Sequence, residues 1–263
     1  YFNNRYLANP AYAGAGVGVN INANYRKQSA NIPGSPELQN LALDYGINRS
    51  GIGLNIELDK TGLQRQTRVV GSYAYHVPLK GEGHQISFGL SVGFMDQRLS
   101  NSDISGNPDD PAAAEYGTDT NIDGDFGMVY TNGKLSIEAA LPNLNFLFKG
   151  SEELKVANLP IFYSALSYKF ALSGGHIGLE PRMVFRGVKG FDNLIDVGAN
   201  VSLLNEQLVL MGMYHNNESA SFGVGLNLKK RYLISGSYTT QTSALSSYAN
   251  GSFEIGLKVK VGK

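Results

Sequence analysis

The sequence predicts an all-β protein, a transmembrane antiparallel β-barrel of about fourteen strands. Apolar and polar residues alternate through fourteen segments of the chain. Because side chains on a strand point alternately to opposite faces, each segment forms one apolar and one polar surface. Many segments approach the roughly 9–11 residues that a tilted strand needs to cross a bilayer. The connections alternate between short and long. We therefore predict one barrel domain, residues 1–263, with residues 1–14 as an N-terminal segment in the periplasm or the lumen.

The first segment shows the pattern in its simplest form. Val19 and Ile21 lie on one predicted face, and Asn20 and Asn22 lie on the other. The same period of two recurs along the chain. The predicted strands occupy residues 16–26, 41–47, 52–58, 69–77, 86–94, 126–130, 135–139, 162–170, 177–185, 195–201, 208–214, 222–228, 232–238 and 253–261.

The connections have the asymmetry of bacterial outer-membrane barrels, which have short periplasmic turns and longer extracellular loops. Short turns follow the even-numbered strands, and most odd-numbered strands precede longer loops, although the link 187–190 is short. An even number of strands places both termini on the periplasmic side. A soluble β-sandwich also alternates, but its strands are usually shorter. The long loops are residues 27–37, 97–121, 142–159 and 241–250.

Composition narrows the function further. The chain has 22 Lys and Arg against 22 Asp and Glu, so no net charge favours a nucleic acid. Without cysteine there is no disulfide, thiolate metal site or redox pair.

The start at Tyr1 resembles that of a chain whose signal peptide has been removed, which suits the bacterial outer membrane. We expect lipid to surround the barrel.

Catalytic patterns are lacking. The four histidines, His76, His84, His176 and His215, form no H-E-x-x-H pair, and there is no G-x-S-x-G segment. The glycines at positions 14, 16 and 18 precede a strand and not a phosphate-binding helix. We predict a non-enzymatic protein without a cofactor.

The alternation directs a set of charged and histidine side chains into the lumen. Charges face lipid only at high cost, so a polar lumen of mixed sign is expected. We predict cross-strand pairs that plug or stiffen the barrel; the alternative is a gated path for small molecules. The predicted lumen residues are Arg26, Asp44, Glu57, Arg68, His76, His176, Glu180, Arg182 and Arg186.

An acidic stretch spans residues 103–125, and its end imitates the first seven positions of an EF-hand calcium loop. The bidentate Glu expected at position twelve falls on Tyr130, so the match is incomplete. A solvated acidic loop is the main interpretation, and weak calcium binding is the alternative. The metal candidates are Asp119, Asn121, Asp123 and Asp125.

Two further segments are candidates for binding partners. Asn9-Pro10 precedes the first strand, and proline cannot continue a hydrogen-bonded ladder. It is either an ordered turn or lumen strap, or a periplasmic contact surface. The loop after residue 142 concentrates apolar residues outside any predicted strand, which indicates a protein contact or packing over the barrel mouth. Its candidates are Leu144, Phe146, Leu147 and Phe148.

Six short motifs in the first third of the chain resemble, in order and spacing, the PorP/SprF family of type IX secretion outer-membrane proteins. The chain departs from the family in having Ser29 where a tryptophan is frequent. It also ends Val261-Gly262-Lys263, without the usual terminal aromatic residue. The motifs are Asn9-Pro10-Ala11-Tyr12-Ala13-Gly14, Tyr25-Arg26-Lys27-Gln28, Pro33-Gly34-Ser35-Pro36, Gly51-Ile52-Gly53-Leu54, Asp59-Lys60-Thr61-Gly62 and Ser72-Tyr73-Ala74-Tyr75-His76-Val77.

The resemblance implies a barrel that helps to export or anchor secreted cargo. In gliding bacteria such cargo includes adhesins with a C-terminal sorting domain. The implied partners are the cargo and other type IX secretion components. The alternative function is a diffusion channel for small or hydrophobic solutes, similar to the fourteen-stranded fatty-acid transporters.

Overall fold

The fold is a closed antiparallel barrel in which fourteen strands form the wall. This computed structural model describes residues 2–16, 18–99, 119–144, 161–172, 176–188, 192–242 and 249–262. In these ranges, no helix has the length and apolar character of a membrane span. The strand segments are β1 (Val19–Gln28), β2 (Glu37–Ile47), β3 (Ser50–Thr61), β4 (Gln64–Pro78), β5 (Gln85–Leu99), β6 (Asp119–Thr131), β7 (Leu135–Leu141), β8 (Ile161–Tyr168), β9 (Phe170–Leu172), β10 (Ile177–Val188), β11 (Leu194–Leu203), β12 (Leu208–His215), β13 (Ser219–Leu228), β14 (Tyr232–Thr239) and β15 (Ser252–Val261).

Pairing between consecutive strands continues around the whole wall. β8 and β9 are two parts of one barrel strand interrupted at Lys169, because both pair with β10. β1 pairs with β15 through a register that places Val19 opposite Val261. This last pairing closes the sheet, so it has no free edge along its length. The predicted barrel and its strand number are confirmed.

The observed exposure of the side chains agrees with the predicted faces of the strands. On β5, Leu90 is 54% exposed and Val92 is 64% exposed, whereas Ser91 between them is 3% exposed. Apolar side chains on the outer face would be unfavourable in water but are suited to lipid. The same outward set includes Tyr73, Phe126, Leu166, Phe222 and Ile255.

The strands extend further than the alternation alone indicated. β4 and β5 are each 15 residues long, and β5 and β6 shorten the predicted loop 97–121 from both sides. The loops after β5, β7 and β14 lie largely outside the described residues, whereas the loop between β1 and β2 is described. Short turns on the periplasmic side use residues in the left-handed region, such as Asn48 with φ 55° and Asn205 with φ 57°. Asparagine tolerates this conformation better than most residues.

Arginine at Leu90 should destabilise the barrel by about 2–4 kcal/mol if the site lies at the bilayer midplane, because the charge would face lipid. From the alternation alone, Ser91→Arg would serve as a mild control. The structure shows otherwise, because Ser91 is buried against Ser72 with 2.8 Å between their hydroxyl oxygens. Ser237→Arg is the better control, since Ser237 lines an open cavity of the lumen. Urea unfolding in lipid vesicles measures the free energy of unfolding of both variants. Equal losses of stability would contradict the assigned facing.

Candidate functional site: a plugged lumen

The N-terminal segment, residues 2–16, lies inside the barrel and not beneath it. Pro10–Tyr12 forms a single 3-10 turn, and the Asn9 side chain accepts a hydrogen bond from the Ala11 amide at 3.0 Å. Proline suits the first position of such a turn because its missing N–H would have no partner there. Asn9 and Ala13 are fully buried, and Ala11 is nearly so. We call residues 5–14 the plug.

Glycines on the barrel wall make room for the plug. Gly89 on β5 and Gly127 on β6 are direct cross-strand partners. A Cβ atom at Gly89 would collide with the backbone of Pro10 and Ala11, and one at Gly127 would collide with the Asn9 side chain. The sequence needs glycine at these positions because another backbone approaches the sheet closely.

Polar contacts then hold the plug against the wall. The Asn9 amide nitrogen donates to the carbonyl oxygens of Met128 at 3.2 Å and Ala139 at 3.0 Å. The backbone N–H of Gly14 donates to Asp44 Oδ1 at 3.0 Å, and His76 Nε2 lies 3.1 Å from the Ala13 carbonyl oxygen. These bonds satisfy groups that burial would otherwise leave unpaired.

Glu138 on β7 is the centre of an ion-pair cluster. Both guanidinium nitrogens Nη1 and Nη2 of Arg182 donate to its carboxylate at 2.8 Å. The Tyr12 hydroxyl donates to Glu138 Oε1 at 2.7 Å, and burial raises the pKa of Tyr12 to about 12, so this hydroxyl keeps its proton. Arg5 of the plug bridges Glu138 and Glu180. The cluster therefore ties the plug to β7 and β10.

A second cluster braces the wall on the extracellular side of the plug. Arg68 on β4 binds Asp123 through Nε at 2.6 Å and Asp125 through Nη2 at 2.7 Å. All three side chains are largely buried. Charged pairs of this kind hold the three strands β4, β5 and β6 in one geometry, since β5 lies between the two that carry them.

A third cluster joins β10, β11 and β12. Asp196 accepts from Arg186 Nε at 3.0 Å and lies 2.5 Å from His215 Nδ1. His215 Nε2 lies 2.8 Å from the Ser221 hydroxyl. A carboxylate, an imidazole and a hydroxyl in this order can activate a nucleophile, but the strand amides around Ser221 pair with β12 and β14. They are therefore not available as oxyanion donors, and we interpret the cluster as a brace.

The structure brings most predicted lumen residues together inside the barrel. Glu57 lines a cavity above the plug, and Arg26 lies 3.5 Å from the Ser252 hydroxyl. The prediction for His176 is wrong: this residue precedes β10, is exposed and bonds Asn205 at 2.9 Å. Outside the strand, alternation no longer sets the direction of its side chain. Those inside the lumen are Arg26, Asp44, Glu57, Arg68, His76, Glu180, Arg182 and Arg186.

At residues 119–125 the structure supports neither the predicted loop nor the calcium candidate. Residues 119–125 belong to β6, where alternate side chains are separated by about 6.8 Å along an extended strand and do not converge on one ion. Asp123 and Asp125 instead bind Arg68. Asn121 is buried in the lumen, and Asp119 begins the strand. Among the described residues, no cluster of His, Asp and Glu could hold a metal. Residues 103–118 lie outside the description.

The partner candidates divide into two groups. Asn9 and Pro10 are buried in the lumen, which favours the lumen strap over the periplasmic contact surface. Proline and the Asn9 cap form a compact turn that fits the barrel interior. Leu144 is half-buried, three residues beyond the end of β7. Phe146, Leu147 and Phe148 lie outside the described residues.

Cavities remain beside the plug in the described part of the lumen. One of about 300 Å³ lies along β11–β15 and β1, and includes Asn217 at the extracellular rim. A second of about 190 Å³ lies above the plug beside Glu57 and Arg68. A third of about 130 Å³ lies at the periplasmic mouth beside Lys258 and Lys260. The lumen is thus narrowed and not filled.

Sequence reasoning missed Arg5, Glu138, Asp123, Asp125 and Asp196 as lumen residues that form the clusters. Glu138 alternates with Ile137 and Ala139, so its inward direction was readable from the sequence. The partner that each carboxylate selects was not readable, because it depends on contacts between residues far apart along the chain.

Solved structures support the fold. The Acinetobacter baumannii outer membrane protein Omp33 matches with a TM-score of 0.57 and 5% identity, over 94% of this chain and 100% of that one. The Ralstonia pickettii toluene transporter TbuX matches with a TM-score of 0.57 and 12% identity, over 98% of this chain and 93% of that one. No curated protein matches. A family model described as type IX secretion system membrane protein PorP/SprF matches residues 1–259, which confirms the resemblance seen in the motifs. The chain belongs to the PorP/SprF family.

Proposed function

We propose that this barrel assists the export or surface anchoring of cargo proteins by type IX secretion and does not catalyse a reaction. The family supports an outer-membrane secretion role with other secretion components as partners. The observation that carries the proposal is the plugged lumen. Asn9, Ala11 and Ala13 are buried against the wall, and the Glu138 cluster fixes Arg5.

A cargo domain therefore has no room inside the barrel. The cavity of about 300 Å³ is at the lower end of the volumes of small-molecule pockets. Contact with a folded cargo has to occur at a rim. The extracellular rim carries the two longest connections, 100–118 and 142–160, between β5 and β6 and between β7 and β8. We assign cargo recognition to these loops, with a C-terminal sorting domain as the recognised module.

Changing Phe146 and Phe148 together to serine tests this assignment. We expect loss of cargo from the cell surface, because apolar side chains in an external loop suit a protein contact. Surface display is measured by antibody labelling of intact cells, and barrel folding by heat-modifiable migration. Asn145→Ser with Lys149→Ser is the matched control in the same loop. Wild-type display in the phenylalanine variant would contradict recognition by this loop.

A further inference from the structure

The N-terminal residues before the plug are held much less firmly than the plug. Asn3 donates from its side chain to the Ser235 hydroxyl at 3.3 Å, and its carbonyl oxygen accepts from Lys258 Nζ at 2.9 Å. Among the described residues, the buried side-chain nitrogen of Asn4 has no hydrogen-bond partner. In contrast with Arg5, none of residues 2–4 carries a charge on its side chain. We call residues 2–4 the gate.

The gate separates two of the cavities. The cavity of about 300 Å³ includes Asn217 of the extracellular turn between β12 and β13. The cavity of about 130 Å³ includes Lys230 and Arg231 of the periplasmic turn between β13 and β14. Phe2 and Asn3 line both cavities. Because these two residues line both cavities, we expect their movement to join the cavities into one route along β12–β15 while the plug stays in place.

The periplasmic end of this route is strongly cationic. Lys230, Arg231, Lys258 and Lys260 line it, and no described carboxylate does. Glu206 meets Lys230 at 3.6 Å, but that pair is exposed to solvent and contributes little. The chain as a whole is neutral, so this mouth is a local concentration of positive charge. A narrow cationic constriction attracts anions and repels cations.

The extracellular cavity is polar and does not reverse that preference. Serine hydroxyls on β13 and β14 line it, including Ser219, Ser221, Ser235 and Ser237. Arg26 and Glu254 balance each other across the β1–β15 pair, where they are direct partners. The lining therefore offers hydrogen bonds to a hydrated ion without a strong field of its own, and the selectivity is set at the periplasmic mouth.

We propose that the barrel contains a second functional site, a side route for small anions that the gate closes and the four cations select. The route takes hydrated inorganic anions and small carboxylates, since the cavities exclude a polypeptide. It is independent of cargo recognition at the extracellular rim.

Conductance in planar bilayers tests the route, with potassium chloride as the probe. The wild-type barrel should open rarely. Phe2→Gly with Asn3→Gly should raise the mean conductance about tenfold, because the closed state loses the contacts that favour it. Under a gradient of potassium chloride, the reversal potential should show that the route conducts chloride in preference to potassium. Lys258→Gln with Lys260→Gln in the open variant should remove that preference, whereas the remote periplasmic Lys134→Gln should not.

A second measurement uses the absence of cysteine from the chain. Two single-cysteine variants are used, Asn227→Cys in the periplasmic cavity and Ser237→Cys in the extracellular cavity. The anionic thiosulfonate reagent should label position 227 about tenfold faster than the cationic one. The gate variant should let reagent added outside reach position 227. A folded gate variant that conducts no better than wild type, or that prefers cations, would overturn the proposal.

Discussion

Replacing Glu138 with methionine should destabilise the barrel by about 3–5 kcal/mol, the usual cost of breaking a buried ion pair by removing one partner. Glu138 is 2% exposed. Its carboxylate accepts two hydrogen bonds from Arg182 and one from Tyr12. Without it, the Tyr163 hydroxyl at 2.8 Å is the one hydrogen-bond partner that the described residues still give the buried Arg182 guanidinium. Urea unfolding of the barrel in lipid vesicles, followed by heat-modifiable migration, measures the loss.

A double substitution of Glu138 and its partner Arg182 distinguishes the cost of an unpaired buried charge from the cost of lost packing. Changing Glu138 and Arg182 together to methionine should recover much of the stability, since neither charge is then left alone in the lumen. Glu37→Gln is the control for an ion pair in solvent. Glu37 meets Lys27 at 2.8 Å near the extracellular rim, and we expect no measurable loss there. A double variant as unstable as Glu138→Met would show that the cluster acts through shape and not through charge.

The wall of the barrel was predictable because its signal is local. A period of two tells each residue which face it occupies, so the inward direction of Arg68 and Arg182 followed from their neighbours alone. The error at residues 119–125 came from giving acidic composition more weight than period. Ile122 and Phe126 already alternate with Asp123 and Asp125, as a strand requires.

The plug was only partly predictable. Asn9-Pro10 indicated a segment that could not join the ladder, which favoured an ordered turn or lumen strap and left a periplasmic contact surface as the alternative. The choice depends on Gly89 and Gly127, which are opposite each other only in the folded sheet. It also depends on Arg5 meeting Glu138 and Glu180, which lie on two different strands. Contacts across such sequence separations leave no periodic trace.

Valine at Gly127 should displace the plug without breaking the barrel. Valine is favourable in strands, and the backbone at this position is not in the left-handed region. Its Cβ would nevertheless collide with the Asn9 side chain, and the same change at Gly89 would collide with Pro10 and Ala11. A sheet closed by pairing on both sides is expected to yield less than a single turn held by hydrogen bonds. The plug should therefore move.

Two observations would report that movement. The N-terminal segment should become cleavable by protease in the folded barrel. The conductance should exceed that of the gate variant, because the plug has left the lumen together with the gate. Gly212→Val is the control, since a Cβ at Gly212 has no atom within 4 Å. It should leave both readouts at wild-type values. Continued protection of the segment in a folded Gly127→Val barrel would mean that the wall gives way before the plug does, and that the plug is an integral part of the barrel core.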